Sequence, residues 1–197
     1  MKSIYFAASL AVFSIVACNR NPKTSASSTP VKADEAKQES KQVNKPASNP
    51  EKGPSPLKAL ISDYLSLKNA LTTDNANDAA TAGKAMVTDF DKFDQSGLSP
   101  EQKKSYTEIA DDAREMAEHI GKSADRLPHQ REHFDMLSKD MYDLVKIFGA
   151  GQTLYSDHCP MYNNNKGANW LSETKTIKNP YLGKAMPDCG SLKEELN

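Results

Sequence analysis

The sequence predicts an all-α protein, an antiparallel up-down four-helix bundle with an irregular C-terminal lobe, preceded by a signal peptide and a disordered tether. Three observations predict this architecture. Apolar residues recur every three or four positions in four stretches between residues 57 and 151, which is the spacing of amphipathic helices. Short connections separate these stretches, as expected for antiparallel neighbours in a bundle. No stretch alternates polar and apolar residues with the period of a strand.

The chain of 197 residues divides by composition into four parts. Residues 1–17 form the predicted signal peptide, and residues 18–56 form the lipidated N-terminus with a disordered linker. Residues 57–151 form the helical bundle. Residues 152–197 form a lobe that contains cysteine and methionine and packs on the bundle.

The first two helices are predicted from Leu57 to about Thr72 and from about Asn75 to Phe93. Each has an apolar stripe that would face the core. The stripe residues are Leu57, Leu60, Ile61, Tyr64, Leu65 and Leu71 in the first helix and Ala79, Ala82, Met86, Val87, Phe90 and Phe93 in the second.

The third and fourth helices carry clear start and stop signals. Ser99 is a favourable N-cap before Pro100, and proline is favoured at the first helical position. The fourth helix opens near Asp125, has Pro128 in its first turn and ends at Gly149. The stripe residues are Tyr106, Ile109, Ala113, Met116, Ala117 and Ile120 in the third helix and Phe134, Leu137, Met141, Leu144, Val145 and Phe148 in the fourth.

The N-terminus predicts export and lipidation. Lys2 precedes an apolar run that is too short to span a bilayer and fits a cleaved secretory signal. The sequence Ile15-Val16-Ala17-Cys18 resembles a bacterial lipobox, which implies that Cys18 is diacylated, becomes the mature N-terminus and anchors the protein to a membrane. Asn19 follows where an aspartate would favour inner-membrane retention. We therefore expect an outer-membrane lipoprotein facing the periplasm.

The linker from Asn19 to Pro56 contains no aromatic residue, leucine or isoleucine. It cannot bury enough apolar surface to offset the entropy lost on ordering, so we expect a flexible spacer between membrane and domain.

Net charge and motifs exclude two broad functions. A formal net charge of −1 gives no electrostatic basis for nucleic-acid binding. The chain has no Gly-x-Ser-x-Gly, no Cys-x-x-Cys and no glycine-rich phosphate loop, so we expect a protein that is not an enzyme.

The histidines of the bundle give a weak metal signal. His129 and His133 are four residues apart and share one face of the fourth helix, but the His-Glu-x-x-His pattern of zinc proteases is absent. We interpret the pair as part of the exposed flank of that helix. His119 is interpreted as a favourable charge near the C-terminal end of the third helix.

Two sulfur pairs stand at the ends of the irregular C-terminal stretch. Cys159 and Met161 are two residues apart, so an extended backbone would place both sulfurs on one side. Met186 and Cys189 are three apart, which suits a single turn. Thiolate and thioether ligands favour Cu(I), and secondarily Ag(I) or another soft metal ion. If the two ends meet, they form a sulfur site with His158 as a candidate nitrogen ligand.

A disulfide is the alternative for the same cysteines. If Cys18 carries lipid, Cys159 and Cys189 remain as a pair in an oxidising compartment, where cysteines usually bond to each other. Closing a loop of about 30 residues would contribute roughly 3–4 kcal/mol in the chain-entropy model. Met161 and Met186 would then pack as apolar residues. Composition and spacing favour this disulfide, which would staple a non-metal structural or interaction module of the envelope.

The stretch CPMYNNNKGANWLSETKTIKNPYLGKAMPDCG, residues 159–190, resembles the C-terminal signature of a bacterial envelope lipoprotein family with a domain of unknown function. The resemblance extends upstream to YLSLKNALTTDNANDAA and QREHFDMLSKDMYDLVKIFG, and so covers most of residues 57–190. The sequence departs from the family pattern at Tyr162, where a small residue is common, and at Pro187-Asp188.

Domains related to that family are linked to the adaptor subunits of heavy-metal efflux pumps. The resemblance therefore implies copper or silver handling in the periplasm, carried by Cys159, Met161, Met186 and Cys189, with an efflux adaptor as the partner.

Overall fold

The computed structural model of the protein describes residues 55–197. The predicted signal peptide, the lipidation at Cys18 and nearly all of the linker fall within residues 1–54, outside the described residues. None of the helices described in residues 55–197 combines the length and hydrophobicity that a bilayer crossing requires.

The four predicted helices are present. Helix α1 spans Lys58–Thr72, α2 spans Ala76–Asp91, α3 spans Pro100–Gly121 and α4 spans Leu127–Phe148. Each helix packs against the next one along the chain, and α4 also contacts α1 and α2. Their apolar stripes meet in one core, which continues into the C-terminal lobe.

Side-chain caps fix two of the helix starts. The Ser99 hydroxyl accepts the Gln102 N–H at 3.2 Å, and Gln102 Oε1 accepts the Ser99 N–H at 3.0 Å, which completes a capping box. Asn75 Oδ1 accepts the Asp78 N–H at 3.1 Å at the start of α2. Such caps contribute about 1 kcal/mol each. Gly149 follows α4 with a φ of 76°, a conformation that glycine adopts without strain.

Two glycines allow α2 and α3 to pack closely. A Cβ on Gly83 would lie 2.8 Å from the carbonyl oxygen of Ala117, and one on Gly121 would lie 2.9 Å from Cγ of Lys84. The first of these neighbours is backbone and cannot move aside, so the helix spacing depends on the missing side chain.

The all-α prediction is wrong for the C-terminal lobe, which contains a three-stranded antiparallel sheet. The central strand β1, Leu154–Cys159, pairs with β2, Ala168–Ser172, on one side and with β3, Ser191–Leu196, on the other. A turn at Tyr162–Asn165 joins β1 to β2, and a 3₁₀ turn at Gly183–Ala185 lies between β2 and β3.

The strands were missed because buried polar residues interrupt the expected alternation. Ser156, Asp157 and Ser172 are all buried, so β1 and β2 do not alternate in hydropathy. The third strand lies far from its partner β1 along the chain, so no short turn sequence between the two indicates that they pair. Asn163 and Asn164 in the β1–β2 turn have φ values of 52° and 55°, in the left-handed region that asparagine tolerates.

Tyr64 of α1 joins the bundle to the edge of the sheet. Its ring stacks on Phe134 of α4, with centroids 5.3 Å apart. Its hydroxyl lies 2.8 Å from Ser138 Oγ and accepts the Leu171 N–H at 3.0 Å. Because β2 is an edge strand, this hydroxyl satisfies a backbone donor that faces away from the rest of the sheet.

The loop between β2 and β3 docks on the bundle through Tyr181 and Arg131. The Tyr181 ring lies 5.6 Å from that of Phe134 and 6.0 Å from that of Trp170. Arg131 of α4 donates to the Pro180 carbonyl at 2.8 Å. The same guanidinium donates to the carbonyl of Leu71 at 3.0 Å and to the carboxylate of Asp74 at 2.5 Å.

Candidate functional site

The sheet brings the two cysteines of the lobe together. Cys159 is the last residue of β1, and Cys189 lies just before β3, the neighbouring antiparallel strand. Their Sγ atoms are 3.1 Å apart, and both are free thiols. A disulfide would require about 2.05 Å, so the two sulfurs are in contact but not bonded.

Hydrogen bonds favour ionisation of one of these thiols. Burial raises the pKa of the Cys159 thiol, but hydrogen bonds from the Cys189 thiol, the Met161 N–H, the Asn179 side chain and the Tyr162 N–H outweigh it and lower the pKa. The contact has the opposite effect on Cys189, whose pKa rises because its thiol donates to Cys159 and because it is partly desolvated. The pair can therefore hold one negative charge, with Cys159 as the thiolate and the Cys189 S–H donating a hydrogen bond to it.

The side chain of Asn179 helps to position this pair. It is fully buried, and its Oδ1 accepts the N–H groups of Tyr181 and Leu182 at 2.8 and 2.9 Å. Its Nδ2 donates to the Cys189 carbonyl at 2.6 Å. The sequence indicated only a turn at Asn179-Pro180, whereas the structure places the amide in contact with both cysteines.

The two methionines of the predicted sulfur site flank the thiols. The Met161 N–H points at Cys159, and the Met186 carbonyl accepts the Cys189 N–H at 3.3 Å. Their side chains are 49% and 40% exposed, so neither thioether is packed into the bundle.

His158 lies on the other face of the sheet. Successive residues of a strand point to opposite faces, so its side chain points away from that of Cys159. The ring Nδ1 is 2.8 Å from Asn169 Oδ1, and the ring covers Gly167, where a Cβ would come within 2.4 Å of Cε1. The structure therefore does not bring His158 to the sulfur pair.

A second cluster of donor atoms lies on the α3–α4 hairpin. One ring nitrogen each of His119, His129 and His133 lies within 4.8 Å of the others. The Nε2 atoms of His129 and His133 are 3.1 Å apart, and the ring of His119 stacks on that of His133 with centroids 4.4 Å apart. Burial lowers the pKa of His133, and the neighbouring charges of His119 and His129 lower it further.

Sequence reasoning missed this cluster because it treated the two helices separately. His129 and His133 are half-buried against α3 rather than on an exposed flank. His119 is within 3.6 Å of Glu115, but it also stacks on His133, which was not expected for a residue interpreted only as a helix-end charge. The short connection between α3 and α4 was the available signal, because it places the last turn of one helix beside the first turns of the next.

Comparison with known proteins gives one family match. Residues 60–153, somewhat less than half of the chain, match the family model described as a protein of unknown function (DUF3347). No curated protein and no solved structure matches the chain. The matched segment covers most of α1 and all of α2 to α4, with the three clustered histidines, and ends before Cys159. The chain thus contains, at residues 60–153, a DUF3347 domain of unknown function.

Proposed function

We propose that this protein binds a soft metal ion, Cu(I) or Ag(I), through Cys159 and Cys189 in the cell envelope. The observation that supports this most directly is the contact of two free thiols at 3.1 Å, with the pKa of Cys159 lowered. Thiolates bind soft ions, and a lowered pKa favours the thiolate, which is the ligand form.

The geometry of the pair requires only a small adjustment to accept an ion. Two thiolates with metal–sulfur distances near 2.3 Å stand about 3.8 Å apart in tetrahedral geometry, so the sulfurs would separate by less than about 1 Å. Cys189 is only half-buried and lies outside the strands, so its side chain has more room to move than that of the buried Cys159. Cys159 would stay fixed at the end of β1.

The exposed thioethers of Met161 and Met186 are the proposed additional ligands. Both residues adjoin the cysteines through backbone hydrogen bonds, and both side chains are accessible to solvent. Thioether sulfur adds soft donors without adding charge, which suits a monovalent ion. His158 is left out of this ligand set because it is bound to Asn169 on the opposite face.

The proposed location is the periplasmic face of the outer membrane. The lipobox-like sequence before Cys18 and the long polar linker support an anchored, spaced domain. The proposed role is sequestration of copper or silver, or hand-off to the adaptor of an efflux pump. The support for that partner is the resemblance of residues 159–190 to an envelope family whose related domains are linked to such adaptors.

The alternative is a non-metal interaction module that is stapled by a Cys159–Cys189 disulfide. The same 3.1 Å contact supports it, because the sulfurs need to approach by only about 1 Å. Forming the bond would release two protons and two electrons to a thiol–disulfide oxidant of the envelope.

A thiol count and a Cu(I) titration separate the two functions. The Cys18→Ser chain is exported, its thiols are trapped by alkylation on cell lysis, and a reduced sample is titrated with Cu(I) against a chromogenic chelator. We expect one Cu(I) per chain, lost in Cys159→Ser or Cys189→Ser. Met161→Leu should weaken binding, whereas Met136→Leu, a similarly exposed methionine of α4, should not.

Failure of the reduced protein to compete for Cu(I) would refute metal binding at this site. Complete absence of free thiols in the exported protein, together with that failure, would establish the disulfide alternative.

A further inference from the structure

We propose that His119, His129 and His133 form a second metal site, which binds a divalent ion of borderline softness such as Zn²⁺ through three imidazole nitrogens. It uses a different ligand chemistry from the sulfur pair and does not depend on the function proposed above. Neutral imidazole is a common ligand for Zn²⁺ and Cu²⁺, whereas thiolate and thioether select softer ions.

The backbone of the helical hairpin places these three side chains together. His129 and His133 are one turn apart on α4 and therefore project from the same face. His119 lies in the last turn of α3, which the short connection sets beside the first turns of α4. The ligands are thus carried by two packed helices, which are more rigid supports than loops.

The distances are close to those of a metal site. With a metal–nitrogen distance near 2.05 Å, two nitrogens on a tetrahedral ion stand about 3.4 Å apart. The Nε2 atoms of His129 and His133 are 3.1 Å apart, so a few tenths of an ångström of opening would suffice. The ligand nitrogens all lie within 4.8 Å of one another, and the His119 side chain, 47% exposed, can rotate inward.

The present contacts leave the cluster free to reorganise around an ion. One N–H···N hydrogen bond accounts for the His129–His133 contact, and ring stacking accounts for the contact of His119 with His133, whose centroids are 4.4 Å apart and whose planes differ by 6°. The lone pairs of parallel rings do not converge on one point, so ion binding requires a rotation of the exposed His119 ring. A bound ion would then accept the three lone pairs at once.

The surrounding groups are those that orient metal-binding histidines. Glu132 lies 3.5 Å from Nδ1 of His129, and Glu115 lies 3.6 Å from Nε2 of His119. The Met116 thioether is 3.3 Å from Nδ1 of His133. The two carboxylates lie near the rings without being hydrogen-bonded to them, and an acceptor that closes on the second ring nitrogen would fix the tautomer and raise the basicity of the ligand nitrogen. Three protein ligands leave a fourth position for water or for a group from a partner.

The chain supplies a matched control, because it contains four histidines and the fourth, His158, lies on β1 away from the hairpin. Zn²⁺ is titrated calorimetrically into the reduced full chain carrying Cys18→Ser and Cys189→Ser, which removes the half-buried thiol and leaves only the buried thiol of Cys159. We expect one Zn²⁺ per chain and a rise in the unfolding temperature with Zn²⁺.

His119→Gln, His129→Gln and His133→Gln should each weaken Zn²⁺ binding by more than about tenfold and abolish the thermal shift, with His158→Gln unchanged. Far-UV circular dichroism checks that each variant is folded. His119→Gln is the variant least expected to disturb folding, because His119 is the most exposed of the three histidines. Affinities within about twofold of the parent in all three variants would overturn the proposal, as would an equal loss in His158→Gln. Loss of Cu(I) binding at the cysteines would leave this result unchanged.

Discussion

Replacing Tyr64 with phenylalanine tests how the lobe is attached to the bundle. The substitution keeps the ring stacked on Phe134 and removes only the hydroxyl, which contacts Ser138 and accepts the Leu171 N–H. The Leu171 donor belongs to an edge strand and is buried, so no strand or bulk water can replace the lost acceptor.

The expected cost follows from those two contacts. A buried amide left without an acceptor costs about 1–3 kcal/mol, whereas the Ser138 hydroxyl keeps the Tyr181 hydroxyl as a hydrogen-bonding neighbour. We expect Tyr64→Phe to lower the free energy of unfolding by about 2 kcal/mol. In a domain of this size, that corresponds to about 4–8 °C in the unfolding temperature.

Tyr106 provides the matched control. It is also a buried tyrosine of the core, but its hydroxyl has no hydrogen-bond partner among the described residues. Tyr106→Phe should therefore be neutral or slightly stabilising. Urea unfolding of the reduced Cys18→Ser chain measures both variants, and hydrogen exchange at the Leu171 amide should accelerate only in Tyr64→Phe. Equal stability changes in the two variants would refute this account of the junction.

Three further predictions concern charge, packing and docking. Burial, followed by the charges of nearby aspartates, raises the pKa of Asp140 to about 6. The folded state therefore favours the protonated carboxyl, and this group lowers the free energy of unfolding progressively as the pH rises from 3.8 towards 6. Asp140→Asn should therefore gain stability relative to the parent between pH 4 and 7, by at most about 3 kcal/mol in urea unfolding. Gly83→Ala should destabilise by about 1–3 kcal/mol, because its Cβ meets the backbone of α3, while Gly97→Ala, which has open space, should have little effect. Arg131→Ala removes the hydrogen bond to Pro180 of the β2–β3 loop and two more, to Leu71 and Asp74 at the end of α1, and should cost about 2–3 kcal/mol. Arg114→Ala, which loses only exposed ion pairs, should cost less than about 1 kcal/mol, and an equal loss from both arginines would contradict the docking role of Arg131.

The helices could be predicted because their signals are local. The three- and four-residue spacing of apolar residues identified all four, and Ser99, Pro100 and Gly149 marked two of their ends to within a residue. Capping and helical periodicity depend on residues within a few positions of one another, so a single sequence contains the information.

The sheet could not be predicted in the same way. Its centre holds Asp157 and Ser156, polar residues whose burial results from packing against the rest of the protein. Its third strand, Ser191–Leu196, is mostly exposed and pairs with β1 after a long excursion of the chain. The burial of polar residues and the pairing of distant strands both depend on tertiary contacts, so the hydropathy pattern along the chain does not predict them.

The donor residues of both candidate sites were visible in the sequence, but their arrangement was not. Sequence alone identified Cys159, Cys189, Met161 and Met186 as soft donors and gave the helical spacing of His129 and His133. Only the tertiary structure turned His158 away from the sulfurs, set the two thiols in contact across β1 and β3, and added His119 to the histidine pair. The physical reason is that donor chemistry is a property of each side chain, whereas a binding site is a set of distances that strand pairing and helix packing impose between residues far apart in the chain.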